Sequence, residues 1–354
     1  MANTRGKKRK LTEEAAPSVA NDDDAVSIPE KSTDVWFEDG NLVVVAENIG
    51  FKVYRGILAQ HSEIFSDMLT LPQPADASTM DGCLVVHVSD SATDIKHVMY
   101  ALFNSAIRYF SDDHILSFEE ISAMLRLGFK YNITHVREEA IRRLRRCFPS
   151  DLESFATPIS RYALMIEYDE EAEEEDSPAY FPQSSTSLKN YDAFAVIKLA
   201  RSFDLNDILP AAFYTCAQMD NASVASTPLP GDEMYRLSDE DREACMDGQD
   251  ALRSAMLRSF KWLLRGPQKG CETLEKCQAA SRENTKNLWG NAIGYCDALI
   301  DNAWIDALPG KYCRVCLRRA KREYDQERVT TWNKLREYFN LPYPQDSSGD
   351  VDET

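Results

Sequence analysis

The 354-residue chain lacks the features that mark several large classes of protein. No apolar run approaches the roughly 20 residues that a membrane-spanning helix needs. No apolar segment follows the positive charges at the start of the chain, so a secretory signal is not expected. No repeat with a period of roughly 20–50 residues is present, which excludes repeat arrays. The sequence therefore predicts an intracellular globular protein of about two domains.

Positive charge is scarce relative to negative charge. The chain has 40 Lys and Arg against 58 Asp and Glu, which gives a formal net charge of −18 at pH 7. Nucleic-acid binders neutralise phosphates with Lys and Arg, and anionic membranes attract the same side chains. We therefore expect neither direct nucleic-acid binding nor membrane binding.

Sequence motifs of catalysis are also missing. The chain contains no Gly-rich phosphate loop, no His-Glu-x-x-His metal motif and no Gly-x-Ser-x-Gly nucleophile turn. His61 and Ser62 are adjacent, but both lie in a predicted helical segment, where Ser62 is expected to act as a helix cap. The sequence thus indicates a protein that is not an enzyme.

Composition divides the chain into five segments. The predicted order is a disordered tail, an ordered block, an acidic linker or long loop, a second ordered block and a disordered acidic tail. Their bounds are 1–30, 31–155, 156–187, 188–342 and 343–354. The linker carries seven acidic side chains within eight positions, and such a run repels itself and stays solvated.

The first block mixes strands and helices. Residues 42–45 and 51–54 are β-rich runs on either side of turn-forming residues, a pattern that predicts a hairpin. A third β-rich run covers 84–88. Later apolar residues recur every three or four positions and predict helices.

Helical periodicity covers the end of the first block and nearly all of the second, residues 188–342. Near the end of the first block, Val136, Ala140, Ile141 and Leu144 are predicted to share one apolar stripe. The neighbouring arginines, Arg143 among them, are predicted to lie largely off that stripe. The second block is therefore predicted to be mostly helical.

The residue pattern of the first block resembles a BTB/POZ domain. The matching pieces, in the family's order, are 34–40, 51–65, 85–90, 95–103 and 125–133. In the second piece, the family's helix pattern of an apolar residue followed by Leu-Ala-x-x-Ser-x-x-Phe falls on Ile57 to Phe65. About 120 residues are covered. In the second block, residues 209–214 and 332–342 are similar to the helical extension of fungal BTB/POZ proteins.

The resemblance implies an α+β fold, in which a short β-sheet flanked by helices precedes a mostly helical domain. It also implies a homodimer that recruits protein partners, for example as a substrate adaptor for a cullin-type ubiquitin ligase. Asp34 and Arg55 occupy the positions that form a buried, charged, partner-binding pocket in the family. From the residues alone, the alternative is an exposed Asp in a loop and an exposed Arg on a helix. Tyr54 stands where the family has His, so the choice of partner stays open.

Trp36, Phe37, Leu42 and Val44 are candidates for the dimer face, and the first two are consecutive in the chain. Consecutive residues on a strand point to opposite faces of the sheet, so at most one of the two faces the domain core. The other needs a cover, which a second subunit could supply. Core packing is the alternative interpretation for either residue taken alone.

The cysteines suggest a metal site. Nine cysteines, an odd number, fit a reducing compartment better than a disulfide framework. Cys313 and Cys316 form a Cys-x-x-Cys pair, and Cys271 and Cys277 form a looser pair upstream. Four thiolates from two such pairs can hold one structural zinc ion. Reduced structural cysteines and redox chemistry are the alternatives; redox is disfavoured because no thioredoxin-like βαβ context surrounds the pair.

A basic run at Lys7-Lys8-Arg9-Lys10 resembles a nuclear-import segment. The alternative is a basic stretch in a disordered tail, so the expected compartment is the nucleus or the cytoplasm. Combined with the zinc site, the run raises a second functional hypothesis, a nuclear regulator associated with transcription.

Overall fold

A computed structural model describes residues 28–72, 77–103, 110–112, 114–155, 186–229, 231–291, 296–308 and 312–343. These residues form a small five-stranded sheet near the N-terminus and a mostly helical remainder. The mixed α+β class predicted from the sequence is confirmed. The basic run, the acidic run and nearly all of both tails lie outside the described residues. Among the described helices, none is long and apolar enough to cross a membrane.

The strands and helices follow the predicted order. The strands are β1 Glu30–Trp36, β2 Leu42–Ala46, β3 Ile49–Val53, β4 Thr79–Met80 and β5 Cys83–His87. The helices of the first block are α1 Arg55–His61, α2 Glu63–Thr70, α3 Ala92–Phe103, α4 Phe118–Lys130 and α5 Thr134–Cys147. Those of the second block are α6 Asp192–Ser202, α7 Leu209–Ala217, α8 Asn221–Ala225, α9 Asp239–Ser259, α10 Lys261–Arg265, α11 Leu274–Asn291, α12 Arg314–Asn333 and α13 Leu335–Tyr338.

The sheet has the strand order β1-β3-β2-β5-β4. Strands β2 and β3 form the predicted hairpin, and its turn residues Glu47 and Asn48 have φ values of 45° and 67°. Two consecutive positive φ values match the right-handed twist of the flanking strands. Strand β5 pairs in parallel with β2, which places β2 at the centre. Every residue of β2 is buried, as expected of a continuous apolar run in a strand covered on both faces.

Ser62 caps α2 as predicted. Its Oγ accepts a hydrogen bond from the backbone N–H of Phe65 at 3.1 Å and donates one to the carbonyl of Tyr131 at 2.6 Å. The first bond satisfies an amide that has no partner within the helix. The second joins α2 to the C-terminal end of α4, so one side chain fixes both the start of a helix and its position.

The two blocks share one continuous apolar core. Phe129 of α4 stacks on Phe203 at the end of α6, with ring centroids 4.5 Å apart. Phe155 meets the ring of Tyr214 in α7 edge-on at 5.6 Å. Contacts of this kind bury large apolar area on both partners. The helical block is therefore positioned directly against the block that carries the sheet.

Helix α9 passes so close to a buried ring that only glycine fits. A Cβ atom at Gly248 would lie 2.0 Å from Cε1 of Phe339, a fully buried side chain that packs on Phe213. Gly248→Ala should gain about 1 kcal/mol of helix propensity. It should lose more by displacing the ring, since overpacking costs about 1–3 kcal/mol and occasionally more. Urea unfolding should therefore show a net loss of stability.

The matched control is Gly56→Ala in α1, where nothing lies within 4 Å of the added Cβ. That variant should be as stable as the parent or slightly more so. A Gly248→Ala protein with unchanged stability would contradict the close packing of α9 on Phe339.

Candidate metal centre

The four cysteines of the predicted site come from the starts of two helices. Cys271 lies in the turn before α11, and Cys277 lies in the first turns of that helix. Cys313 is the N-cap of α12, and Cys316 is its third residue. Each pair therefore spans the entry of the chain into a helix. Cys271 and Cys277 are six positions apart because a turn separates Cys271 from the helix that carries Cys277.

The four sulfur atoms converge. All four lie within 4.8 Å of one another, and Cys271 Sγ is 3.8 Å from Cys313 Sγ. Four sulfurs bound tetrahedrally at about 2.3 Å from one zinc ion would lie about 3.8 Å apart. One sulfur pair already has this spacing, and the others require shifts of about 1 Å or less. The convergence predicted from the cysteine pairs is confirmed.

Backbone amides surround the sulfur atoms. The N–H of Cys313 donates to Cys277 Sγ at 3.2 Å. The amides of Glu272 and Cys316 donate to Cys313 Sγ, and that of Gln268 donates to Cys316 Sγ. Such donors stabilise negative charge on sulfur and hold the thiolates in one orientation. Backbone amides therefore stabilise negative charge within the sulfur cluster.

The thiols differ in acidity. Burial alone would raise the pKa of Cys313, but the amides of Cys316 and Glu272 outweigh that effect and lower its pKa to about 6. Burial raises the pKa of Cys316 to about 12. The protein by itself therefore favours one thiolate among neighbouring thiols. A divalent cation would supply the opposite charge that lets all four sulfurs ionise together.

All nine cysteines are free thiols, and five of them lie outside the cluster. Neither a family model nor a curated protein matches this chain. The chemistry of the cluster therefore follows from its own geometry. Four protein ligands fill a tetrahedral site and leave no open position, which is the arrangement of a structural rather than a catalytic metal.

The structure places the predicted interface residues elsewhere, in the first block. Asp34 and Arg55 are both exposed, and the Arg55 guanidinium donates to the carbonyl of Leu69 at 3.3 Å. Within the described residues no ion pair joins Asp34 to Arg55. The buried charged pair implied by the family resemblance is thus not formed within one chain, because each side chain faces solvent. Their role in partner binding stays a prediction.

Leu42 and Val44 are fully buried within the chain, so their prediction as dimer-face residues is wrong. Trp36 and Phe37 have different surroundings. Phe37 packs on Tyr54, with ring centroids 5.0 Å apart, and contacts the core of the first block. Trp36 lies under the ammonium groups of Lys31 and Lys52, at 4.6 and 5.8 Å from its ring centroid. A cation above an indole face is an attractive contact. Part of the cover that Trp36 needs is therefore supplied by lysines of the same chain.

A buried lysine that the sequence pattern did not predict lies beside this tryptophan. Lys52 is only 4% exposed, although the strand that carries it is predicted from its apolar neighbours. Its ammonium pairs with Asp81 at 2.7 Å and donates to the carbonyl of Glu38 at 2.9 Å. The position of a lysine between Phe51 and Val53 could have predicted this ion pair, because a charged side chain buried in a strand within the sheet requires a partner.

Proposed function

We propose that this chain is a non-enzymatic protein-interaction protein. In this proposal the first block is a BTB/POZ-like domain that self-associates, and one structural zinc ion holds the start of α11 against the start of α12. The order of elements supports the first part: a strand, a hairpin, two short helices, a third main strand and further helices follow the order of the motif pieces. The converging thiols support the second part.

The observation that carries self-association is the exposure of large apolar side chains on α1 and α2 and just after α2. Ile57 and Ile64 are 38% and 45% exposed, although each directly precedes a buried residue, Leu58 or Phe65. Leu71, just after α2, is 63% exposed. Apolar groups grouped on consecutive helices favour association, since a second copy removes them from water. A homodimer through this surface agrees with the dimer implied by the resemblance.

The expected mass in light scattering at micromolar concentration is about 80 kDa, twice the 40.1 kDa of one chain. Ile57→Lys combined with Ile64→Lys should shift the mass to that of one chain, because the dimer would then bury four ammonium groups without partners, two from each chain. The comparison variant is Met246→Lys with Leu257→Lys, two residues of α9 that are each 44% exposed.

The comparison variant should keep the mass of the parent protein. A parent that stays monomeric at high concentration would remove the self-association half of the proposal. Equal dissociation by both variants would place the interface elsewhere than α1 and α2.

Partner recruitment is the finer part of the proposal. Asp34 and Arg55 are the positions assigned to it, and a cullin-type scaffold is the partner class that the resemblance suggests. Both side chains are exposed and accessible to another protein. An adaptor of this kind needs two surfaces, one for the ligase scaffold and one for the substrate, and the helical block would provide the second.

A further inference from the structure

Helix α12 carries a line of arginines along its exposed face. Arg314, Arg318 and Arg322 are all exposed and are spaced four residues apart. Residues four apart lie one above the other on a helix, about 6 Å along the axis. The three guanidinium groups therefore form a line about 12 Å long. The same face continues with Gln326 and Thr330, which are exposed and uncharged.

The acidic residues of α12 pair with cations that do not belong to this line of arginines. Glu323 pairs with Arg319 at 2.7 Å and with Arg265 at 3.2 Å. Glu327 lies 3.8 Å from Arg258. Asp325 is likewise paired with a cation of the same helix. Across the described part of the chain, by contrast, the arginine line has no carboxylate partner.

Helix stability does not account for the line. Like charges four residues apart repel, and cations near a helix N-terminus oppose the helix dipole. A zinc ion with four thiolates would carry two net negative charges and would offset Arg314, which adjoins Cys313. Arg318 and Arg322 lie one and two turns farther along, so their charges need another explanation.

We propose that the line formed by Arg314, Arg318 and Arg322 binds a short acidic segment of a partner protein. Guanidinium groups form paired hydrogen bonds with carboxylates, and a line of them matches carboxylates presented along one side of a peptide. A long nucleic acid fits less well, because the chain carries a net charge of −18 and three arginines would contact only a few phosphates. The surface belongs to the helical block and does not depend on self-association of the first block.

The test uses the full-length chain with zinc bound and a fluorescent peptide of about eight glutamates at about 50 mM salt. Anisotropy should show binding, and R314Q, R318Q and R322Q together should weaken it about tenfold, the sum of three exposed ion pairs. Raising the salt concentration should also weaken the binding of the peptide to the parent protein. Should the triple variant lose zinc, R318Q alone should still weaken binding about two- to threefold.

A matched control removes the same charge from three arginines outside the line, of which one is exposed and two are half-buried. Arg236, Arg242 and Arg253 each pair with a carboxylate three residues away. Their triple Gln variant should change peptide affinity by less than about twofold. Equal weakening by both triple variants would show a net-charge effect and overturn the proposal. Absence of peptide binding, or tighter binding of a single-stranded oligonucleotide of equal charge, would overturn it as well.

Discussion

Purified protein is expected to contain about one zinc ion per chain, and a strong chelator should unfold the start of α11 and α12. Structural zinc bound by cysteines contributes about 10–16 kcal/mol of apparent binding free energy, and that free energy is available only to the folded state. The two helix starts meet at the four sulfurs, so loss of the metal leaves the thiols there without the ion that joins them. Hydrogen exchange should therefore increase first at these helix ends.

Cys316→Ser tests the same centre by removing one buried ligand. Three remaining thiolates bind zinc less well, so we expect loss of metal and a loss of several kcal/mol in unfolding free energy. Cys83→Ser is the matched control, because Cys83 is a free thiol that lies outside the cluster. It should keep the metal and most of the stability. Metal-free protein whose four cluster thiols all react with an alkylating reagent in the native state would leave reduced structural cysteines as the interpretation.

Arg143→Met is expected to lower the free energy of unfolding by about 3–5 kcal/mol, the usual effect of breaking a buried ion pair. Arg143 is completely buried in α5. Its Nε donates to Glu139 at 2.7 Å, and its other nitrogens donate to the carbonyls of His114 and Ser111 at 2.7 and 3.0 Å. Methionine fills the space but supplies none of these donors.

Arg145→Met is the control on the same helix. Arg145 is exposed and pairs with Asp207 at 2.6 Å, a surface contact that contributes about 0–1 kcal/mol. Urea unfolding of the two variants should therefore differ by several kcal/mol. Similar losses of unfolding free energy in both variants would mean that the hydrogen bonds from Arg143 to the carbonyls of Ser111 and His114 stabilise the protein no more than a surface ion pair does.

The same ion pair predicts an acid limit to stability. Burial alone would raise the pKa of Glu139, but hydrogen bonds from Arg142 and Arg143 outweigh it and hold the pKa below its usual value. A carboxyl with a lowered folded-state pKa stabilises the protein above the pKa of the unfolded chain. That contribution disappears as the pH falls through the folded value. The stability difference between the parent and Arg143→Met should therefore narrow in acid.

Local chemistry made several features predictable. The hairpin of β2 and β3, the cap at Ser62 and the apolar stripe through Val136 and Leu144 each depend on residues close together in the chain, and the structure confirms them. The cysteine pairs belong to the same class, because each pair lies within one turn-and-helix segment. That the two pairs lie together in space was predictable only because a zinc site with four thiolate ligands needs both pairs.

Arg143 shows where such reasoning fails. The prediction that it lies largely off the apolar stripe is wrong, since it is fully buried. Position 143 is seven residues, about two helical turns, after Val136 and therefore falls on the same face of the helix. Its carbonyl partners, Ser111 and His114, lie about thirty residues upstream in the chain. The charge of Arg143, and not its place on the helix, made burial unexpected, because a guanidinium is buried only where acceptors surround it and these come from a distant segment.

The sequence by itself determined the class of the fold, the order of its elements and the four thiols that meet. Tertiary structure alone decided the parallel pairing of β5 with β2, the burial of Lys52 and Arg143, and the exposure of Asp34 and Arg55. The first group depends on periodicity, caps and spacing, which act over a few residues. The second depends on which distant segments cover a side chain, because burial and charge pairing take their free energy from neighbours in space rather than along the chain.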